Sequence, residues 1–258
     1  MSETAQRDRD LLDRPVFESL RPTWWMVCYA ALILFVVLTR LWDLAPRGYS
    51  HDESIHAWES WKLVTGQGYI HNPTYHGPFL YHFTALIFAL FGHNDYTGRL
   101  SPALFGIALT ILPLLLRKWL GKRGVLATTL LMAVSPVMML RSRYLRMDVF
   151  AAAFNLLLFI AILRYLDQRK NKDLYLVAAA LSLSFTATET SFITDFIFGT
   201  FLLGLFLWQW LGDRKRPWKD FAVFDLIVVI GTMTLPLAAP FAIKILGADP
   251  LDYSQRGI

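Results

Sequence analysis

The sequence predicts an all-α membrane protein with about seven transmembrane helices and a large first external loop that carries interfacial helices. Hydrophobic residues make up 55% of the 258 residues and charged residues only 17%, whereas soluble domains are about 25% charged. The apolar residues are gathered in runs close to the roughly 20 residues that cross a bilayer as a helix. Basic residues are concentrated between alternate runs. This pattern excludes a soluble globular enzyme.

The first apolar run extends from Trp24 to Trp42, after a polar N-terminal tail of mixed charge (1–23). It is too long for a signal-peptide core and lacks a small-residue cleavage site, so it predicts an uncleaved anchor. Six further runs lie at 98–116, 125–140, 149–166, 174–187, 192–211 and 221–246. Together these runs predict one membrane module over 24–247.

An eighth apolar run, 78–91, decides the topology. Its 14 residues would rise only about 21 Å as a helix, less than a hydrocarbon core of about 30 Å. If it does not cross, the tail and the segments 117–124, 164–173 and 212–220 share one face, and each of the four carries four Lys or Arg. The positive-inside rule makes that face cytoplasmic. We therefore expect 78–91 to lie in the outer interface or to form a short re-entrant helix.

The remaining connections are then external. They comprise a large loop over 43–97, a short loop at 141–148, a turn near 188–191 and the start of an external segment at 248–258. Because the chain stops where that last segment begins, we expect an N-terminal fragment or a module completed by a C-terminal domain or partner subunit. The net charge of +5 follows from the topology signals, so no nucleic-acid partner is expected. The single cysteine, Cys28, excludes a disulfide framework and a cysteine-ligated metal site.

The large loop holds the first candidate site. All six histidines lie in it: His51, His56, His71, His76, His82 and His93. Ser50 followed by Glu53 fits a capping box for a helix that ends near Val64. Ile55, Trp58 and Trp61 recur every three residues and form an apolar stripe suited to the membrane surface.

Asp52 and His56 share one face of that helix and could bind a divalent ion or position a nucleophile. Two alternatives remain open. Asp52 and Glu53 could serve only the helix dipole, since acids in a first turn are favourable there. Each histidine, including His51 and His76, could be an interfacial side chain bonded to carbonyls or water, because the spacings give no zinc signature.

The second external loop, RSRYLRMD, places Arg141, Arg143 and Arg146 on the face that should be poor in arginine. Arginine binds phosphate in a bidentate manner, and Asp148 supplies a carboxylate beside it. The alternative is that Asp148 caps the next helix and neutralises an arginine. Glu189, in the turn TATETSF, is a third external acid. Asp195 and Asp225 lie inside apolar runs, where we expect structural pairing.

These segments, in this order, resemble the GT-C superfamily of membrane glycosyltransferases. The resemblance covers 24 to about 247 and is carried by HDESIHAW, YHGPFLYHFTALIFALFG, NDYTGRLSPALFGI, SRYLRMD and TATETSF. It resembles particularly the protein O-mannosyltransferase and aminoarabinose transferase branch, and it looks closer still to the flippase-activity-associated family of N-glycosylation clusters. Related transferases have Glu-Lys-Pro before the interfacial helix, where this chain has His76, Gly77 and Pro78, so it lacks that lysine.

The resemblance implies a seven-helix N-terminal module with an acidic motif in its first external loop. It assigns Asp52, with Glu53, to that motif and Asp148 to the second-loop acid. The expected donor is a sugar on a polyprenyl phosphate or pyrophosphate in the outer leaflet of the plasma membrane, with membrane lipids as further partners. The expected activity is transfer of that sugar to an acceptor on the non-cytoplasmic face.

For this reaction we expect Asp52 to act as base or metal ligand, Glu53 to support it, and Asp148 to be the second acid. Arg143 and Arg146 are the expected phosphate clamps. The remaining expected substrate contacts are His51, His56, His76 and Glu189. A divalent ion, Mg²⁺ or Mn²⁺, bound by Asp52 and Asp148 is one way to stabilise the phosphate, and imidazoles acting alone are the other. The alternative functions are a lipid-linked sugar flippase or transporter and a non-catalytic membrane subunit.

Overall fold

The computed structural model describes residues 23–70 and 77–245, and within these residues it contains helices and no strands. The helices that precede the second external loop are α1 (Trp24–Leu41), α2 (His51–Val64), α3 (Phe79–Phe91), α4 (Asp95–Ile111), α5 (Arg117–Val134) and α6 (Pro136–Arg141). After that loop follow α7 (Asp148–Gln168), α8 (Asn171–Ala187), α9 (Ser191–Gly212) and α10 (Ala222–Ile245). Single 3₁₀ turns cover Leu112–Leu116 and Trp218–Asp220.

Five helical segments of the described chain are long and apolar enough to cross a membrane. They are Trp24–Leu41, Asp95–Val134, Asp148–Gln168, Ser191–Gly212 and Ala222–Ala239. The prediction of an all-α membrane protein is therefore confirmed. The 40-residue segment Asp95–Val134 contains a non-helical glycine, Gly121, with φ of 67°. The 17-residue helix α8 falls just short of spanning length.

Hydrogen bonds to α1 show that the chain reverses direction inside the long segment. Tyr29, near the start of α1, donates to the carbonyl of Ile111 (3.4 Å), at the end of α4. Arg40, near the end of α1, donates to the carbonyls of Met132 and Ala133 (both 3.1 Å), at the end of α5. Thus α4 runs antiparallel to α1 and the last part of α5 returns parallel to it. Counting this hairpin as two passages and adding α8 accounts for the predicted seven.

Three of the four predicted basic segments lie together. Lys118 forms an ion pair with Asp167, and Arg169 donates to the carbonyls of Lys219 (2.6 Å) and Asp220 (2.9 Å). Segments 117–124, 164–173 and 212–220 therefore share one end of the helix bundle, which we call the basic face. The fourth segment, the tail, lies outside the described residues.

Both ends of α3 lie on the opposite face of the bundle. At its start, a Cβ added to Gly77 would lie 2.2 Å from the carbonyl oxygen of Thr186, at the end of α8. Just after its end, the carbonyl of Asn94 accepts a hydrogen bond from Tyr49 (2.8 Å) in the first loop. The 13-residue helix therefore does not cross the bundle, in agreement with the prediction for 78–91.

The core beneath α3 is aromatic and fixes its position. The Phe79 ring lies edge-on to Phe105 of α4 and to Phe150 and Phe154 of α7, with centroid distances of 4.9–5.6 Å. Such edge-to-face pairs add about 0.5–1.5 kcal/mol each beyond their area burial. The first loop is therefore packed rigidly on α4 and α7 at the face opposite the basic one.

Candidate functional site

The N-terminus of α2 begins with the predicted capping box. The Ser50 hydroxyl accepts from the backbone N–H of Glu53 (3.5 Å), and the Glu53 carboxylate accepts from the backbone N–H of Ser50 (3.0 Å). The same hydroxyl lies 2.6 Å from the Tyr144 hydroxyl in the second external loop. The Ser50 side chain therefore caps α2 and also contacts the loop 141–148.

Glu53 is buried in an ion pair with Arg99 of α4. Arg99 Nε lies 2.7 Å from one carboxylate oxygen and a terminal nitrogen 2.9 Å from the other, and the two side chains are 0% and 2% exposed. The backbone N–H of Leu145 also donates to the carboxylate (3.3 Å). Burial raises the pKa of Glu53, but the hydrogen bonds from Arg99, Ser50 and Leu145 outweigh it and lower that pKa below its usual value.

Arg99 also holds the loop that precedes α2. Its terminal nitrogens donate to the carbonyls of Leu44 (3.0 Å), Arg47 (2.9 Å) and Gly48 (3.0 Å). With the two bonds to Glu53, all five donors of the guanidinium are used. The pair therefore joins the loop 44–50, α2, α4 and the loop 141–148 into one rigid unit.

Next to this unit, the acids Asp52 of the first loop and Asp148 at the end of the loop 141–148 come together. Arg146 lies between them, with a terminal nitrogen 3.5 Å from Asp52 and Nε 3.7 Å from Asp148. Arg141 forms a second, closer pair with Asp148 (2.8 Å). We call these four residues the acid–arginine cluster. Its carboxylates are 48% (Asp52) and 40% (Asp148) exposed, so the cluster is open to a ligand.

The predicted histidines lie in different environments. His51 is exposed at the start of α2, one residue before Asp52. His56, one turn further along α2, is buried, and its Nδ1 lies 3.0 Å from the Tyr81 hydroxyl of α3. His76 and His71 lie outside the described residues. The imidazole nearest the cluster along the sequence is therefore His51.

Two predicted substrate contacts, Arg143 and Glu189, are not members of the acid–arginine cluster. Arg143 donates to the carbonyls of Thr39 (2.7 Å) and Asp43 (2.6 Å) and so caps the C-terminal end of α1. Glu189 is exposed in the turn between α8 and α9. This turn lies on the same face as the cluster, because the end of α8 contacts Gly77, but no described contact joins Glu189 to Asp52 or Asp148.

The described residues contain no group of three or more His, Cys, Asp or Glu side chains that could hold a metal ion. Asp52 and Asp148 are the only two carboxylates of the described cluster, and a guanidinium lies between them. Two carboxylates bridged by a cation form a poor donor set for Mg²⁺ or Mn²⁺, which prefer several oxygen ligands.

The acids within the apolar runs have polar partners, as expected. Asp225 accepts hydrogen bonds from Tyr165 (2.6 Å) and Arg169 (3.1 Å) near the basic face. Asp195 of α9 is buried and accepts from Thr234 of α10 (3.1 Å). Both link neighbouring helices.

Sequence reasoning missed the roles of Arg99 and Arg141. Arg99 lies near the start of a membrane span, and a charge there requires a partner, which could have drawn attention to it. Arg141 is one of three arginines within six residues, and the spacing alone does not say which of them faces Asp148.

One comparison with known proteins gives a match. A family model described as dolichyl-phosphate-mannose-protein mannosyltransferase matches residues 75–247, which are 173 of the 258 residues. The matched region contains Arg99 and the second-loop residues of the cluster, while Asp52 and Glu53 precede it. No curated protein matches the chain.

Proposed function

The chain belongs to the dolichyl-phosphate-mannose-protein mannosyltransferase family, and from this premise we propose that it transfers a sugar from a polyprenyl-phosphate-linked donor to an acceptor on the non-cytoplasmic face. The family makes it a multi-pass membrane glycosyltransferase with a lipid-linked donor. The proposal also includes the non-cytoplasmic face as the side of transfer, the plasma membrane as the location and the flippase-activity-associated family as the subfamily. The positive-inside rule supports the face, because the acid–arginine cluster lies opposite the basic face.

The convergence of Asp52 and Asp148 on Arg146 is the observation that carries this proposal. These acids are 96 positions apart in the chain, yet both approach one guanidinium. A half-exposed carboxylate can accept a proton from an acceptor hydroxyl, and the neighbouring arginines can stabilise a leaving phosphate.

The cluster supplies a group for each requirement of the transfer. Asp52 accepts the proton of the acceptor hydroxyl as that oxygen bonds to the anomeric carbon of the sugar. The bond between that carbon and the donor phosphate oxygen breaks, and the electron pair remains on the polyprenyl phosphate. Arg141 and Arg146 bind this phosphate, and Asp148 orients both guanidiniums through its ion pairs.

This assignment changes two roles expected from the sequence. Arg141 takes the clamp position that was expected for Arg143, whose guanidinium is engaged at the end of α1. Glu53 acts as a positioning residue, since both of its oxygens accept hydrogen bonds and its side chain is buried. It fixes the first turn of α2 and with it the direction of Asp52, while His51 and Glu189 remain candidate acceptor contacts.

A divalent ion held by Asp52 and Asp148 is the alternative to this proposal. Bound Mg²⁺ or Mn²⁺ would supply a Lewis acid for the leaving phosphate. The guanidinium between the two carboxylates provides positive charge at the same place. We therefore propose a metal-independent reaction in which the arginines neutralise the phosphate.

The test is reconstitution of the full chain with a polyprenyl-phosphate-linked sugar, scoring sugar transfer and lipid translocation separately. Asp52→Asn is expected to lower transfer by about 10²- to 10⁴-fold, the usual contribution of a positioned base. Asp213→Asn, an exposed acid beside the basic face, is the matched control. Translocation without transfer would support a flippase, and neither activity would support a non-catalytic subunit.

A further inference from the structure

A second group of arginines lies around a cavity that the proposed reaction does not use. The cavity has a volume of about 350 Å³ and lies between the loop after α1 and the short helix α6. Its lining includes the basic residues Arg47, Arg99 and Arg143 and the apolar residues Leu44, Met139 and Leu140. No acidic residue is among the described residues that line it. The cavity therefore combines positive charge with an apolar wall.

The cavity is separate from the acid–arginine cluster. Arg143 is turned toward the carbonyls of Thr39 and Asp43 at the end of α1, whereas Arg146 is turned toward Asp52 of α2. Consecutive arginines of one loop thus serve different neighbours. A ligand in the cavity would contact the loop after α1 and helix α6, not the proposed base.

Among the three arginines of the cavity, Arg47 has free capacity for an anion. The Arg99 guanidinium has its five donors engaged and forms part of the wall. Arg143 uses its two terminal nitrogens for carbonyls. Arg47 is exposed, and its side chain has no ion pair or hydrogen bond within residues 23–70 and 77–245. Its guanidinium can therefore donate to a bound phosphate in a bidentate manner.

Apolar side chains are exposed on the helix that lines the cavity and just before the lining loop. Val137 and Leu140 of α6 are 65% and 58% exposed, and Trp42, beside the cavity in the sequence, is 76% exposed. In a membrane protein such side chains contact acyl chains, and exposed tryptophan is typical of the headgroup level. Positive charge at that level, next to an apolar wall, matches the shape and charge of an anionic lipid.

We propose that this cavity binds the phosphate of an anionic membrane phospholipid, with the glycerol phosphate at Arg47 and Arg143 and an acyl chain along Met139 and Leu140. The phosphate group that the arginines would bind is also present in the polyprenyl phosphate product and in free inorganic phosphate. These two are therefore the competing ligands. The proposal concerns lipid binding alone and does not depend on sugar transfer.

The test is titration of the delipidated full chain, in a non-ionic detergent, followed by native mass spectrometry. The probes are short-chain phosphatidylglycerol, short-chain phosphatidylcholine, a short polyprenyl phosphate and inorganic phosphate. Arg47→Glu removes one attraction and adds a repulsion, so phosphatidylglycerol affinity is expected to fall by about tenfold or more. Arg123→Glu, the same change at an exposed position near Gly121, is the control and should leave binding unchanged.

Saturable binding of phosphatidylglycerol that Arg47→Glu weakens and Arg123→Glu preserves would support the proposal. Equal binding by wild type and Arg47→Glu would overturn it. Inorganic phosphate binding as tightly as the lipid would show that the apolar wall plays no part. Tight binding of polyprenyl phosphate without phosphatidylglycerol would assign the cavity to the donor. Either of these two outcomes would also overturn the proposal.

Discussion

Substitution of Glu53 by methionine should destabilise the protein much more than substitution of Asp52, although the two residues are adjacent. Glu53→Met leaves Arg99, which is 2% exposed, with an unpaired charge, and it removes the acceptor for the N–H groups of Ser50 and Leu145. Removing one partner of a buried ion pair typically costs about 3–5 kcal/mol. Domain stabilities are only about 5–15 kcal/mol in total, so this is a large fraction.

Asp52 provides the control for this prediction. Its carboxylate is 48% exposed and lies 3.5 Å from Arg146, and exposed pairs of this kind contribute about 0–1 kcal/mol. Asp52→Ala should therefore unfold close to wild type. The assay is thermal or denaturant unfolding of the purified protein in detergent, followed by the fluorescence of its nine tryptophans.

A double-substitution cycle tests whether the cost belongs to the pair itself. If Glu53→Met leaves a buried charge, then adding Arg99→Met removes that charge, and the double variant should lose less stability than the sum of the single variants. Coupling between contacting residues is about 0.5–3 kcal/mol. The reasoning is refuted if Glu53→Met unfolds like Asp52→Ala, or if the two single costs simply add.

Further predictions follow from the same geometry. Folding lowers the pKa of Glu53, so its ionised carboxylate stabilises the folded state fully above pH 4.5, the usual pKa of glutamate. This stabilisation is lost as the pH falls through the lower folded-state pKa, and the melting temperature of the wild type should fall over that pH range. A Glu53→Met variant should lack this part of the pH dependence. Chelation with EDTA should leave sugar transfer unchanged; loss of transfer that Mn²⁺ or Mg²⁺ restores would favour the metal hypothesis. Gly77→Ala should displace α3 and lower melting temperature, since its Cβ would lie 2.2 Å from the Thr186 carbonyl oxygen, whereas Gly199→Ala has nothing within 4 Å and should unfold at or above wild-type temperature. A similar melting temperature for these two glycine variants would contradict the close approach.

The sequence was informative about topology because the relevant physics is one-dimensional. Lengths of apolar runs, the positions of basic residues between them and the 14-residue run at 78–91 are set by bilayer thickness and membrane charge asymmetry. The structure agrees with the sharing of one face by 117–124, 164–173 and 212–220. The structure also shows that the chain reverses direction near Gly121, a position that the lengths of the apolar runs give only roughly.

The candidate site was predictable in part. The capping box at Ser50 is a local pattern, and the structure contains it as predicted. The grouping of Asp52 with Asp148 was expected from loop positions, and the ion pairs with Arg146 agree with it. The partner of Glu53 was not predicted, because Arg99 is 46 positions away and no local pattern links them.

The amino-acid sequence alone determined the helical membrane fold and the common face of three basic segments, and it predicts an external position for the acidic loops, since each follows from composition and order along the chain. Only the tertiary structure decided which acid is buried and which is open, and which of three neighbouring arginines faces them. Adjacent residues on a helix point about 100° apart, so Asp52 and Glu53 enter different environments. The residues that surround each of these two side chains come from segments distant in the sequence, and only tertiary packing brings those segments together.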